Sequence, residues 1–130
     1  MIKFAARHLV LAFLLLNALS ASSDTALKSA DQIVGKWKLV QEAGRLDGPR
    51  RESDQSWEFR ADGVLESIAQ HNAIGGNKFK VSVNYRVENG KIISDYPGRP
   101  GRTIVYTVIK NSDNEMVLEG GTGGFLFFTK

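Results

Sequence analysis

From Phe79 to Glu88 the chain reads FKVSVNYRVE, with every odd position apolar and every even position polar. A period of two fits a strand with one buried face and one wet face, and it cannot form the stripe of a helix, whose like positions recur at a period of about 3.6. No window of about 11 residues beyond Ile33 sustains that helical period. The expectation is an all-β chain.

Seven further stretches read as shorter strands: 33–41, 56–60, 64–70, 91–96, 103–110, 115–119 and 125–129. Between them lie Ala61-Asp62-Gly63, Asn89-Gly90 and Asn111-Ser112-Asp113-Asn114, residues that tolerate the left-handed backbone of tight hairpins. Tight turns make sequential strands antiparallel neighbours, and a meander without crossover helices hides its edges best by closing. These signals predict a small antiparallel up-and-down eight-stranded barrel over 33–130, with a sandwich as the alternative. Two connections exceed a hairpin's needs, 43–55 (AGRLDGPRRESDQ) and 96–102 (YPGRPGR), and long loops are where function concentrates. The glycine-rich Gly120 to Gly124 lacks the strand-to-helix setting of a phosphate loop and reads as a hairpin.

Ahead of this domain, Lys3 and Arg7 precede the apolar run Leu9–Leu16, which small residues follow. That is the layout of a secretory signal peptide, taken here as 1–21, with 22–32 as a leader ending in a short helical turn. The run is too short for a permanent membrane anchor. A secreted or periplasmic location is the expectation. Losing Lys3 and Arg7 and no acid lowers the formal excess from +3 to +1, so no basic face remains for nucleic acid. The chain has no Cys, which excludes disulfides, thiolate zinc sites and a cysteine nucleophile. Its core alone must hold the exported fold.

Ile33 to Val40 (IVGKWKLV), Trp57 to Gly63 (WEFRADG) and Tyr85 to Ile92 (YRVENGKI) occur in an order that resembles the short bacterial lipocalin-like domains of the calycin superfamily. The resemblance spans about residues 32 to 129. It implies a barrel closed at one end by Gly35 and Trp37, in a structural role, and a small, mostly apolar ligand. The chain departs from a typical lipocalin in its length, its lack of cysteines and its last segment FLFFTK, which has no Arg to lie over the Trp. An avidin-like domain shares the Gly-x-Trp start, but no biotin-contact pattern follows it.

Catalytic chemistry is poorly supplied. After the leader the chain has a single His, His71, in a polar setting where solvent exposure is the default reading, and no recognisable metal-ligand spacing. An enzyme is the least favoured reading, and no cofactor or metal is implied. Glu58 alternates out of phase with Trp57 and Phe59 and should face solvent, whereas Glu66 shares a face with Val64 and Ile68 and stays open between an outward carboxylate and a buried acid–base group. Arg45, Arg50 and Arg51 fall in one long loop, and Arg99 and Arg102 in the other. If both loops meet at the mouth, these arginines could hold a carboxylate or phosphate head group, with Asp47, Glu52 and Asp54 offering local ion pairs instead.

The expected interior comprises Leu39, Trp57, Phe59, Phe79, Val81, Val83, Tyr85 and either Ile104-Tyr106-Val108 or Val105-Ile109. Trp57, Phe79, Tyr85 and Tyr106 are the expected ligand lining, with Arg99 and Arg102 as head-group contacts. A barrel of eight strands is either packed solid or holds one small ligand, so a cavity above about 300 Å³ would favour ligand binding, and a filled interior would favour a protein-binding module instead. Phe125-Leu126-Phe127-Phe128 is apolar on both faces. Exposed Leu126 and Phe128 would point to the second reading, a protein-binding or inhibitory module acting through its loops and last strand.

Overall fold

Asn89 and Gly90 adopt φ of 53° and 77°, the paired left-handed conformation of a type I′ turn whose twist matches that of the strands it joins. A second hairpin uses Ala61-Asp62-Gly63. Gly63, at φ 87°, donates its N–H to the Arg60 carbonyl, and the Asp62 carboxylate accepts from the Val64 N–H. These turns belong to a computed structural model that describes residues 27–71, 77–121 and 123–130. The predicted signal peptide, 1–21, lies outside the described residues.

The strands are β1 (Gly35–Ala43), β2 (Arg50–Phe59), β3 (Val64–His71), β4 (Asn77–Glu88), β5 (Lys91–Asp95), β6 (Thr103–Asn111), β7 (Glu115–Gly120) and β8 (Gly124–Thr129). Each pairs antiparallel with the next, and β8 pairs back onto β1 to close the barrel. The architecture is therefore the small up-and-down eight-stranded barrel that the alternation implied. Before β1, Ala30–Gln32 forms one 3-10 turn, at whose start Gln32 Oε1 accepts the Lys28 and Ser29 N–H groups. The first long loop is shorter than expected. Arg50 to Gln55 lie in β2, paired with β1 from Ala43 to Leu39, so the connection shrinks to 44–49.

Alternation decides what lies inside. Leu39, Phe59, Leu65, Ile92, Leu118 and Phe128 are buried in one cluster with Trp37, Trp57, Tyr85 and Tyr106. Aromatic rings form a tilted to edge-on chain through its centre. Trp57 is 5.0 Å from Phe128, 5.8 Å from Tyr106 and 6.1 Å from Phe59 between ring centroids, and Phe59 is 5.2 Å from Tyr85. Such arrangements add to the stabilisation from burial because ring edges face ring faces. On β6 the inward set is Ile104-Tyr106-Val108, the first of the two alternatives.

At the closed end, Trp37 Nε1 donates to the Ile33 carbonyl at 2.8 Å. Lys130 places its Nζ 4.8 Å from the centroid of the Trp37 ring, so the last segment, without an Arg, sets a lysine over the Trp instead. The ammonium is held against the ring by its quadrupole. A Cβ on Gly35 would come within 3.2 Å of that Nζ, so the glycine leaves room for the lysine.

Candidate ligand cup at the barrel mouth

The loops 44–49 and 96–102 and the glycine-rich turn lie at the end of the barrel opposite Trp37, because strands that alternate in direction bring every second connection to one rim. Just below this rim the inward faces of β2 to β6 enclose a cup of about 110 Å³. Trp57 and Tyr106 line it where they meet edge to face, Leu65, Val83 and Ile104 form apolar walls, and Val81, Asp95 and Pro97 complete the lining. Two serines interrupt the apolar surface. Ser94, only 2% exposed, is hydrogen-bonded to the Tyr106 phenol, and the Ser67 hydroxyl has no hydrogen-bond partner among the described residues.

The chemistry of this cup is that of recognition. A flat apolar fragment can lie against the indole while one polar group meets the hydroxyls, because a small number of placed polar groups orients a ligand in an apolar site. The volume falls short of the about 300 Å³ expected of a ligand cavity and of the roughly 150 Å³ cavity that admits benzene. A bound molecule must be compact or protrude through the mouth.

Burial pushes the Tyr106 phenol above its usual 10.0, and the hydrogen bond to Ser94 opposes the rise. The fold thus favours the neutral phenol. This contribution to stability is fully present below the ordinary phenol range near about 10 and is lost as pH rises through the higher folded value. A spectrophotometric titration should find Tyr106 ionising later than a free tyrosine. The late phase should lose one tyrosine in Tyr106→Phe, leaving that of Tyr85, whose phenol is raised by burial too, and alkaline unfolding should move to higher pH. Ionisation of Tyr106 in step with free tyrosine would contradict its burial.

The expected lining residues divide among three places. Trp57 and Tyr106 line the cup. Phe79 shares their inward face, two residues along β4 from the lining residue Val81, but stands 52% exposed and outside the cup lining. Tyr85 sits at the other end, where its hydroxyl donates to the Arg60 carbonyl at 2.8 Å and burial raises its pKa. Ser67, Ser94 and Leu65 were missed. Ser94 follows Ile92 by two positions and shares its face, and alternation in Lys91–Asp95 could have identified it.

The arginines do not gather into a head-group ring. The Arg99 guanidinium stacks at 5.5 Å over Tyr96, and the Arg102 carbonyl accepts the Tyr96 N–H at 2.8 Å, so the two residues serve the loop's own structure and neither lines the cup. Arg50 lies 3.9 Å over the ring of Phe127 on the outer wall. Arg51 pairs with Glu42 across β1 and β2 and faces a separate hollow beside the glycine-rich turn. Glu66 points outward, its Oε1 3.5 Å from Lys80 Nζ, directly across from Glu58. The His71 side chain lies outside the described residues. Among the described residues no three metal-ligating groups cluster, and no helix is long and apolar enough to cross a membrane.

The last strand turns the opposite way from the reading in which Leu126 and Phe128 form an exposed patch. Phe128 is in the core and Leu126 packs against it, while Phe125 and Phe127 lie on the outer face of the strand, Phe127 buried there with Arg50 over its ring. Burying Phe128 against Trp57 stabilises the interior more than any exposed arrangement could.

A family model described as lipocalin-like domain matches residues 33–118, from the turn before Trp37 to the core residue Leu118. The chain belongs to this lipocalin-like family. Among solved structures, the lipocalin-like domain is similar to a lipocalin-like protein from Bacteroides uniformis, with 22% identity and a TM-score of 0.63 over 76% of this chain and 98% of the other. It is also similar to an uncharacterized protein from Bacteroides eggerthii, with 18% identity and a TM-score of 0.57 over 75% of this chain and 98% of the other. At these identities the likeness is one of fold. A search of the curated proteins found no match. The lipocalin-like barrel is a ligand-binding type of domain, and its filled lower half restricts where a ligand can sit.

Proposed function

We propose that this lipocalin-like domain is an exported binding protein for a compact, mostly apolar molecule bearing one hydrogen-bonding group, held in the mouth cup. The observation that supports this reading is the pairing of the Ser94 and Tyr106 hydroxyls with the Trp57 indole around a cup of about 110 Å³. A solid barrel would have no reason to bury a serine beside a phenol where Val and Phe pack as well. Export rests on the layout of residues 1–21, with Lys3 and Arg7 ahead of an apolar run.

The aromatic chain from Phe128 through Trp57 to Phe59 fills the space that a long acyl chain would need. Selection is therefore for single-ring or short-chain molecules. Benzyl alcohol and phenol are suitable probes, read by the emission of Trp57 in a Trp37→Phe background. Saturable quenching is expected, weakened about fivefold to tenfold by Tyr106→Phe or Ser94→Ala, the loss of one hydrogen bond of about 1 kcal/mol or slightly more. No saturable response to either probe, or one that both variants leave unchanged, would remove the reading. The Lys3 and Arg7 segment is tested separately, by whether the chain expressed in a bacterial host is recovered from the periplasm in a shortened form.

A further inference from the structure

Outside the barrel, on the wall made by β1, β8, β7 and β6, lies a groove of about 570 Å³ that shares no residue with the cup. Its floor follows from the doubly apolar last strand. Phe127 projects outward between Gln41 on β1 and Val117 on β7, with Lys110 next to Val117 on β6. Two register shifts flank this floor, one between Leu39 and Gln41 and one between Val108 and Lys110. A bulge adds a residue and re-aims side chains, and here the inserted residues, Val40 and Ile109, both line the groove. Leu46, 48% exposed, overhangs it from the 44–49 loop.

The charges on its walls are unequal. Lys110 is paired with Glu115, whose carboxyl is held below its usual range by that lysine. Arg50 has no carboxylate within ion-pair distance among the described residues. Its guanidinium carbon lies 3.9 Å over the Phe127 ring and it donates one N–H to Gln41 Oε1 at 3.2 Å, while the Gln41 amide donates in turn to Glu52. Five N–H donors belong to a guanidinium. Stacking and the Gln41 bond hold its plane in place and leave most of its donors for an acceptor, with little side-chain entropy left to lose on binding.

We infer that this outer groove is a second binding site, for an amphipathic monoanion whose apolar body rests on Phe127, Val117, Val40 and Ile109 and whose anionic head meets Arg50. Its volume falls within the range of about 300 to 1,000 Å³ usual for small-molecule sites. Charge complementarity decides the class of occupant. The polar residue left without a carboxylate is a cation, and it stands at the edge of an apolar floor.

Two fluorescent probes that share an aromatic body test the head-group claim. 1-Anilinonaphthalene-8-sulfonate carries one negative charge, and N-phenyl-1-naphthylamine carries none. The sulfonate is expected to bind about tenfold or more tightly than the neutral probe, the range of a charge-assisted hydrogen bond. Arg50→Gln should abolish that preference, and Val117→Glu should abolish sulfonate binding. Tyr106→Phe should change neither, so failure of the cup and failure of the groove are read separately. Equal affinity for the two probes, a preference that survives Arg50→Gln, binding lost in Tyr106→Phe, or no binding of the sulfonate would each overturn the assignment. Arg50 is exposed and Val117 faces outward, and circular dichroism of both variants establishes that the barrel is intact.

Discussion

Trp37→Ala is expected to cost the lipocalin-like domain about 3–5 kcal/mol, the range for deleting a large buried aromatic. The indole is 2% exposed and closes the end of the barrel against Ile33, so its loss opens a cavity the backbone cannot collapse into. Total stabilities of such domains are about 5–15 kcal/mol, and the melting temperature should fall by about 15 °C or more. Two further variants divide the effect. Trp37→Phe keeps most of the apolar body and leaves the Ile33 carbonyl without its donor, for about 1–3 kcal/mol. Lys130→Ala removes an exposed cation from the ring face and should cost about 0.5–1 kcal/mol. Thermal denaturation of the three variants checks the order. Equal losses for Trp37→Phe and Trp37→Ala would mean that the hydrogen bond, and not the filled volume, holds that end together.

Gly120→Ala is the second large effect, and it reaches the cup. A Cβ at Gly120 would lie 2.4 Å from the Val105 carbonyl oxygen and 3.0 Å from the Tyr106 Cα, both backbone atoms that can move only if β6 moves. The expected cost is about 3 kcal/mol, the upper end for overpacking, because no flexible side chain is available to yield. Gly120 pairs in register with Tyr106. The same displacement should therefore shift the phenol away from Ser94 and weaken benzyl alcohol binding in whatever fraction of the variant stays folded. Gly44→Ala, with nothing within 4 Å of the added carbon, is the matching control and should fall within about 0.5 kcal/mol of the parent. An unchanged melting temperature in Gly120→Ala would show that β6 and β7 are less closely packed than this contact implies.

Most of the barrel was legible because its strands bury one face and wet the other. The run from Phe79 to Glu88 and the Asn89-Gly90 turn were readable residue by residue, since local backbone preference and burial agree there. The upper half of β2 was not. Arg50 to Gln55 read RRESDQ, polar at every position, and they become a strand only because β1 lies beside them at the wet rim, a tertiary cause with no local signature. The same reason moved Arg50 from a loop to the wall above Phe127.

The site was half legible. Trp57 and Tyr106 followed from alternation and from the need of a buried phenol for a partner, but Tyr85, with an identical pattern, points to the closed end. Alternation gives the face of a strand and says nothing of height along the barrel axis. Height is set by register, and register by the bulges at Leu39/Gln41 and Val108/Lys110, where no Gly or Pro marks the inserted residue. The cation over Trp37 was missed because Lys130 follows the strand and returns to the ring from outside the last pairing.

The seam between β1 and β8 has a further consequence, for how the barrel forms. Seven of its eight strand pairings join neighbours in sequence and can form as hairpins while the chain is still partly open, but the eighth brings Leu39 to Phe128, and its loop-closure entropy must be met before any contact offsets it. Until then β1 and β8 are both unpaired edges, and the second of them carries FLFF, an apolar, uncharged segment of high strand propensity. Closure of this last pair should be the slow event in folding. A chain interrupted before Phe125 would leave β1 and β7 as permanent edges, free to recruit strands from other molecules.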